Sequence, residues 1–151
     1  MLIREILPKT PILCTTDTSL PEVVRLMMEN NCQCVPIVES SVHKNPIGVV
    51  TEHDICIKSI AAGINPLRAT AGRVMNGYFE TVSPETDLKE CFRLMKEKNL
   101  RYLIVADENN VCCGAANYDD VARFINKSEV SLSLESFSNR AVQINYLDRI
   151  F

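Results

Sequence analysis

The sequence predicts a mixed α/β (α+β) fold in which two β-α-β-β-α repeats pack as a pseudo-two-fold pair, followed by a C-terminal extension. Three observations support this prediction. An amphipathic helical segment recurs at a spacing of 68 residues, short apolar runs flank both copies, and a Gly-x-x-[Thr/Asn]-x-x-Asp segment occurs near the end of each copy. Because a unit of this size buries little apolar surface alone, we expect the two copies to share a core.

The recurring helix covers residues 20–31 and 88–99, and seven of the twelve aligned pairs are identical. Each copy places apolar residues at positions i, i+3, i+4 and i+7, which is the pattern of a helix with one buried face. Each copy also has a helix start signal, which is Ser19 in the first and Asp87 in the second, with a glutamate three residues later. The apolar stripes predict core helices without a ligand role.

Short apolar runs predict the strands of each repeat. A run that ends at Thr51 precedes a helix that ends at Gly63, and in the second repeat the final helix runs from Asp120 to about Asn126. The remaining strand-like pieces align between the repeats, as 6–7 with 74–75, 13–15 with 81–83, and 35–39 with 103–107.

The predicted organisation has four parts, which are a first repeat at 1–63, a linker at 64–73, a second repeat at 74–126 and an extension at 127–151. The linker is assigned from its proline and glycine residues. The extension carries alternating apolar residues, as strands do. We expect it to dock on the module, on a second subunit or on a partner protein.

The segment from Gly48 to Asp54 allows two interpretations. In the first, Thr51 and Asp54 form a capping box, in which each side chain bonds the main chain of the other residue. In the second, both face a ligand at the helix start, where free amides favour an anion and a carboxylate accepts from sugar hydroxyls. The corresponding residues Asn117 and Asp120 allow the same two interpretations, since Asn is itself a good helix cap.

Composition excludes several function classes. The hydrophobic fraction of 46% and the charged fraction of 23% are those of a globular protein. A net charge of −3 without a Lys/Arg run disfavours nucleic-acid binding. No apolar stretch approaches the ~20 residues that a membrane span needs. The N-terminus lacks the features of a signal peptide, and we therefore expect a cytoplasmic location.

Cysteine spacing predicts no metal centre. The seven cysteines include no Cys-x-x-Cys pair, and His43 and His53 have no metal-motif spacing to them. Most of the cysteines lie in apolar runs, where a free cysteine behaves as a small buried hydrophobe. A redox role for Cys32 and Cys34, or for the pair Cys112 and Cys113, is the alternative to core packing.

The order of elements, the strand from Val35 to Val38 and the Gly48…Thr51…Asp54 segment resemble a tandem pair of CBS domains, often called a Bateman module. The resemblance covers residues 6–126 and implies a regulatory module rather than an enzyme, without a required cofactor. Such modules commonly bind AMP, ADP, ATP or S-adenosylmethionine in clefts between the repeats. The motif Asp contacts the ribose, and the motif Thr or Ser contacts phosphate.

Two clefts are implied by the resemblance. Arg101 occupies the position where family members often have a phosphate contact, and its planar guanidinium can donate two parallel hydrogen bonds to a phosphate. In the second cleft Asn117 replaces Thr or Ser and Gln33 replaces Arg101, so we predict a weaker site there. The main cleft would hold Thr51, His53, Asp54, Arg101, Tyr102, Thr81 and Val82, and the second would hold Asn117, Asp120, Gln33, Cys34, Cys14 and Thr15.

The sequence therefore predicts a stand-alone regulatory module that binds an adenine nucleotide and signals by a change of conformation or assembly. The alternative is a non-catalytic dimerisation scaffold with vestigial clefts. The resemblance also implies a homodimer formed through the helices, and the extension at 127–151 is a candidate contact for an effector protein.

Overall fold

Each half of the chain folds as a helix, an antiparallel strand pair and a second helix, which confirms the predicted fold class. The computed structural model describes residues 1–126. The predicted extension at 127–151 lies outside the described residues. The elements of the first half are α1 (Leu20–Asn30), β1 (Cys34–Val38), β2 (Pro46–Thr51) and α2 (Glu52–Ala61), and those that follow are α3 (Ala71–Val74), β3 (Thr81–Val82), α4 (Leu88–Lys98), β4 (Tyr102–Ala106), β5 (Cys112–Asn117) and α5 (Tyr118–Asn126).

The strands form one small sheet in each repeat. β1 pairs with β2 in antiparallel register, and β4 pairs with β5 in the same way. β3 lies parallel to β4, whereas its counterpart in the first repeat is a single parallel bridge between Cys14 and Ile37. A third apolar cluster, which includes Cys34, Val49 and Ile104, joins the two sheets, so the repeats share buried surface as predicted.

The predicted helix starts are confirmed. The Ser19 hydroxyl accepts a hydrogen bond from Glu22 N–H at 3.3 Å, and the Asp87 carboxylate accepts one from Lys89 N–H at 2.8 Å. Both helices end at an asparagine in the left-handed region, with φ of 50° at Asn31 and 54° at Asn99. The two repeats therefore begin and end their first helix by the same chemistry.

The segment that precedes each repeat packs on the opposite repeat. Ile3 N–H donates to Thr86 C=O at 2.9 Å, and its counterpart Ala71 N–H donates to Thr18 C=O at 2.8 Å. Ile3 is fully buried in the core of the second repeat, and Ala71 is fully buried in the core of the first. This reciprocal exchange joins the two halves at two places. The second exchanged residue, Ala71, lies within the predicted linker at 64–73.

The prediction of strand-like pieces at 6–7 and 74–75 is wrong. Residues Ile3–Ile6 form a single 3₁₀ turn and α3 forms a single α turn, each ending at or just before these positions. A short turn satisfies part of its main chain locally, as in the bond from Met75 N–H to Ala71 C=O at 2.9 Å. It also turns Ile3 and Val74 into the two cores, whereas an extended segment there would need a strand partner.

The exchange predicts that Ile3, although it lies almost at the N-terminus, stabilises the whole fold. Replacing a fully buried Ile3 by alanine is expected to lower the free energy of unfolding by about 2–5 kcal/mol, because it removes buried methyl groups and leaves a cavity. Denaturant unfolding measures this change. The matched control is Ile60→Ala, where the side chain is 75% exposed and the expected change is within about 0.5 kcal/mol. Equal stabilities of the two variants would contradict the exchange.

Candidate functional site

A cleft of about 390 Å³ lies between the two repeats. Its volume falls within the roughly 300–1,000 Å³ range of small-molecule sites. The first repeat contributes residues around Leu7, Pro8 and Cys34, and the second contributes Ala115 of β5 and residues of α5. We call it the Asp120 cleft, because the Asp120 carboxylate is among the groups that line it.

Two charged side chains from α5 line the Asp120 cleft. Asp120 and Arg123 lie one helical turn apart and form an ion pair. The Asp120 side chain is 36% exposed and that of Arg123 is 26% exposed, so both groups reach solvent. Asp120 lies in the first turn of α5, where the helix dipole favours a negative charge. The cleft therefore combines an acceptor for hydroxyl groups with a planar cation.

Besides Asp120 and Arg123, the walls of the Asp120 cleft carry apolar side chains and the uncharged amides of Asn30 and Asn31. Leu7 and Phe124 line it together with the cysteines at the start of β1. Burial raises the pKa of the Cys34 thiol to about 12, and the nearby carboxylates of Asp120 and Glu52 act in the same direction. Burial also raises the pKa of the Cys32 thiol. Both thiols therefore stay protonated at neutral pH, which favours packing over nucleophilic or redox chemistry.

The Asp54 carboxylate, by contrast, is engaged within its own helix. Its Oδ2 accepts from Thr51 N–H at 3.1 Å and from the Thr51 hydroxyl at 2.9 Å, while Asp54 N–H donates to Thr51 Oγ1 at 3.0 Å. This is the capping box that the sequence allows. Asp54 is only 8% exposed.

Lys58 is a further partner of Asp54 that the sequence reasoning missed. Its ammonium lies 3.3 Å from Asp54 Oδ1 and donates to Val74 C=O at 2.9 Å and Met75 C=O at 3.4 Å. It therefore joins α2 to the end of α3. An i, i+4 acid–base pair is the signal that could have found it. Nearby, the Met75 side chain packs so closely that a Cβ added to Gly48 would lie 2.9 Å from its sulfur.

The other residues predicted for the main cleft lie around the start of β4. Tyr102 is half-buried, and its pKa is raised by burial and by the negative charge of Asp54. Thr81 pairs with Ile104, one strand away. Val82 packs on the core of the second repeat. Arg101 and His53 are exposed.

Of the six residues predicted for the second cleft, four lie in the Asp120 cleft or bridge the repeats, and two are engaged within the first repeat. Cys34 and Asp120 line the Asp120 cleft, and the Asn117 amide lies 3.5 Å from Gln33 Oε1, so this pair bridges the repeats. Cys14 is 4% exposed in the core of the first repeat, and Thr15 N–H bonds the Thr18 hydroxyl at 3.1 Å.

Among the residues that line the Asp120 cleft, the sequence reasoning named Cys34 and Asp120, and those it missed include Leu7, Pro8 and Arg123. It found no cation for a phosphate in this cleft, whereas the structure places Arg123 there. The signal was the spacing of Arg123 three residues after Asp120, which brings the two side chains together on one helix face. The exchanged N-terminal segment carries Leu7 and Pro8 into the cleft, and no local pattern indicates that.

Within residues 1–126 no group of three or more His, Cys, Asp or Glu side chains is placed to hold a metal ion. In the same part of the chain, none of the helices has the length and apolar character needed to cross a membrane.

Comparison with known proteins gives the family. The CBS domain model matches twice, at residues 3–59 and 71–127. The chain belongs to the CBS domain family. An uncharacterised protein of Methanopyrus kandleri is 30% identical over 118 residues, which is 78% of this chain and 57% of that protein. The chain thus spans little more than half the length of this relative.

Two solved structures show the same paired CBS fold. The CBS domain pair of protein MJ0100, in complex with 5′-methylthioadenosine and S-adenosyl-L-methionine, has a TM-score of 0.72 at 22% identity, over 85% of this chain and 98% of that one. The CBS domain protein PAE2072 from Pyrobaculum aerophilum, complexed with AMP, has a TM-score of 0.69 at 19% identity, over 92% of this chain and 99% of that one. At these identities the likeness shows the fold.

The pKa shifts predict a sharp order of thiol reactivity. Burial raises the pKa of Cys34 to about 12 and those of Cys91 and Cys112 to about 11, whereas Cys56 is exposed. Iodoacetamide at pH 8 is therefore expected to modify Cys56 in the native protein and to spare the three buried thiols, as read by peptide mass spectrometry. Denatured protein is the control, in which all seven cysteines should react. If Cys34 is alkylated in the native protein as fast as Cys56, the result would contradict this order and support the redox interpretation.

Proposed function

We propose that this CBS pair is a regulatory module that binds an adenosine-type ligand between its repeats. The candidate ligands are AMP, ADP, ATP and S-adenosylmethionine. The observation that carries the proposal is the Asp120 cleft, in which a carboxylate, a guanidinium and apolar walls from both repeats meet. The adenosine ligands of protein MJ0100 and the AMP of PAE2072 support this ligand class.

Each part of such a ligand has a matching group in the Asp120 cleft. The Asp120 carboxylate offers two oxygens to the vicinal hydroxyls of a ribose. The Arg123 guanidinium offers a planar donor set to a phosphate, and contact with a phosphate would redistribute its pairing with Asp120. The apolar surfaces of Leu7 and Phe124 suit a flat base.

The cleft built around Thr51 and Asp54 is proposed as the weaker site. The sequence ranks it first, because it has Arg101 and the complete Thr-x-x-Asp motif. We propose the opposite ranking, which is supported by exposure: the Asp54 side chain is 11% exposed and paired with Lys58, whereas that of Asp120 is 36% exposed. A ligand at Asp54 would have to displace Lys58 from the carboxylate or share the carboxylate with it.

Binding in the Asp120 cleft gives a physical route to a signal. The cleft is lined by both repeats and by the exchanged segment at Leu7 and Pro8. A ligand that contacts both repeats and this segment binds more tightly when the three lie together. Its binding therefore shifts the equilibrium towards that arrangement. We propose that the repeats, divided at 1–63 and 74–126, respond by a change in their relative position or in assembly.

A dimerisation scaffold is the second candidate function, and exposed apolar side chains favour it. On α1 the side chain of Met28 is 53% exposed, and on α2 those of Ile57 and Ile60 are 51% and 75% exposed. Apolar side chains grouped on a surface mark interaction sites. A homodimer through these helices is compatible with ligand binding in the Asp120 cleft, so the two proposals are tested separately.

Calorimetric titration of wild type, Asp120→Asn and Asp54→Asn with AMP, ADP, ATP and S-adenosylmethionine tests the proposed function. Wild type is expected to bind at least one of the four. Asp120→Asn is expected to bind that ligand roughly 10- to 100-fold more weakly, because hydrogen bonds to charged groups contribute about 1.5–3 kcal/mol each. Asp54→Asn is expected to lose about 1 kcal/mol of stability through its cap while retaining affinity.

Asp119→Asn is the matched control, because Asp119 carries the same charge one residue from Asp120 but is exposed and does not line the cleft. Its affinity should equal that of wild type. Loss of binding in Asp54→Asn, with binding kept in Asp120→Asn, would move the site to the other cleft. If folded, ligand-free protein binds none of the four ligands, the proposed ligand-binding function is contradicted and the scaffold function is favoured.

A further inference from the structure

The ammonium group of Lys58 lies where three oxygen atoms converge. It is 3.3 Å from Asp54 Oδ1, and it donates hydrogen bonds to Val74 C=O at 2.9 Å and to Met75 C=O at 3.4 Å. A lysine ammonium has three donors and no acceptor, so each of its N–H groups can have an oxygen partner here. The Lys58 side chain is also 42% exposed. The ammonium can therefore exchange these three oxygens for water without unfolding α2.

With Lys58 in this position, both oxygens of the Asp54 carboxylate are engaged. Oδ2 accepts hydrogen bonds from the N–H and the hydroxyl of Thr51, whereas Oδ1 faces the Lys58 ammonium. A carboxylate that binds two neighbouring hydroxyls of a ligand must offer them lone pairs. The oxygen that the capping box leaves for this purpose is Oδ1, and Lys58 lies against it.

The same contacts hold the segment that leads into the second repeat. Val74 is the last residue of α3 and Met75 follows it, and carbonyl groups at the end of a helix lack partners within that helix. The next residue, Asn76, donates to Val49 C=O at 2.8 Å and accepts from Val49 N–H at 3.0 Å. Lys58 therefore connects α2, which carries Asp54, to a chain segment that is already paired with β2.

The second repeat has an apolar residue in the position of Lys58. At the spacing of 66 residues that aligns Asp54 with Asp120, Lys58 corresponds to Phe124. A phenyl ring has no donor for a carboxylate or a carbonyl group. Phe124 lines the Asp120 cleft of about 390 Å³, together with Leu7 from the segment that corresponds to the end of α3. The two repeats therefore differ in the side chain that approaches this part of the site.

We propose that Lys58 is an intramolecular competitor for the Asp54 carboxylate and that it determines which of the two motif carboxylates binds ligand. This inference rests on the proposed function and adds the residue that keeps the first repeat from providing a second, equal site. A ligand hydroxyl reaches Asp54 Oδ1 only when the ammonium leaves it. Release of Lys58 also removes its bonds to Val74 and Met75, so binding at Asp54 loosens the connection between α2 and the end of α3.

Competition by Lys58 has a different consequence from a purely structural role. Asp54 is only 8% exposed, so removal of the ammonium leaves a buried acceptor short of a donor and destabilises the free protein. A ligand with hydroxyl groups can supply the missing donors, and it no longer has to displace a cation. Loss of Lys58 should therefore lower stability and raise affinity at Asp54, whereas loss of a purely structural contact would not raise affinity.

Calorimetric titration of full-length variants with adenosine tests this role. Adenosine is uncharged, so removing a cation changes no contact with a phosphate. In an Asp120→Asn background, where the other cleft is weakened, adding Lys58→Met should raise the affinity for adenosine roughly tenfold or more, because one charged hydrogen bond no longer has to be displaced. Lys58→Gln keeps a donor without the charge and should give a smaller gain, and it serves if Lys58→Met does not fold.

The matched control is Lys89→Met in the same background, because Lys89 is an exposed lysine of α4 and its loss changes the net charge equally. Its affinity for adenosine should equal that of Asp120→Asn. A third substitution, Asp54→Asn, should abolish the gain that Lys58→Met gives, since that gain depends on the carboxylate that the lysine releases.

The outcomes separate this inference from the proposed function. Equal affinities of folded Asp120→Asn with and without the Lys58 substitution, or a gain that survives Asp54→Asn, would overturn the role of Lys58 and leave the proposed function intact. Binding that depends on Asp54 in the Lys58 variant, without any binding by wild type, would support the role of Lys58 and contradict the Asp120 cleft as the site. Absence of binding by every folded variant and by wild type would overturn both.

Discussion

The reciprocal exchange of the segments that precede the two repeats is the constraint on which the rest of the structure depends. Ile3 bonds to Thr86 and fills the second core, and Ala71 bonds to Thr18 and fills the first. The turn at Ile3–Ile6 leads directly into the Asp120 cleft, so Leu7 and Pro8, which follow it, line that cleft between the repeats. One short segment therefore both contributes to a core and lines the Asp120 cleft.

Two similar halves thus give unlike surroundings to the two motif carboxylates. Around Asp54 the carboxylate is held by Thr51 and Lys58, and the strand edge is occupied by Asn76. Around Asp120 the carboxylate is more exposed and is paired with Arg123, and Pro8 holds the position that corresponds to Asn76 at the repeat spacing of 68 residues. The framework of helices and strands is the same in both halves, so the difference comes from a few side chains at the exchanged segments and at the starts of the last helices.

Sequence periodicity was sufficient for the fold, because buried stripes and caps are local features. The helices that begin after Ser19 and Asp87 follow from spacing alone, whereas the turns at Ile3–Ile6 and α3 do not, since only packing against the opposite repeat makes them helical. The candidate site was less predictable. Motif spacing indicated Asp54 and Asp120, but the ion pair of Arg123 and the position of Pro8 depend on elements distant in the chain.

A crystal structure of the protein with AMP tests the central claim most directly, because it locates the ligand without relying on a variant. The account predicts AMP in the cleft lined by Asp120 and Arg123, with its ribose at the Asp120 carboxylate and its base against Leu7 and Phe124. AMP bound beside Asp54 and Tyr102, or a cleft that stays empty at saturating AMP, would contradict it.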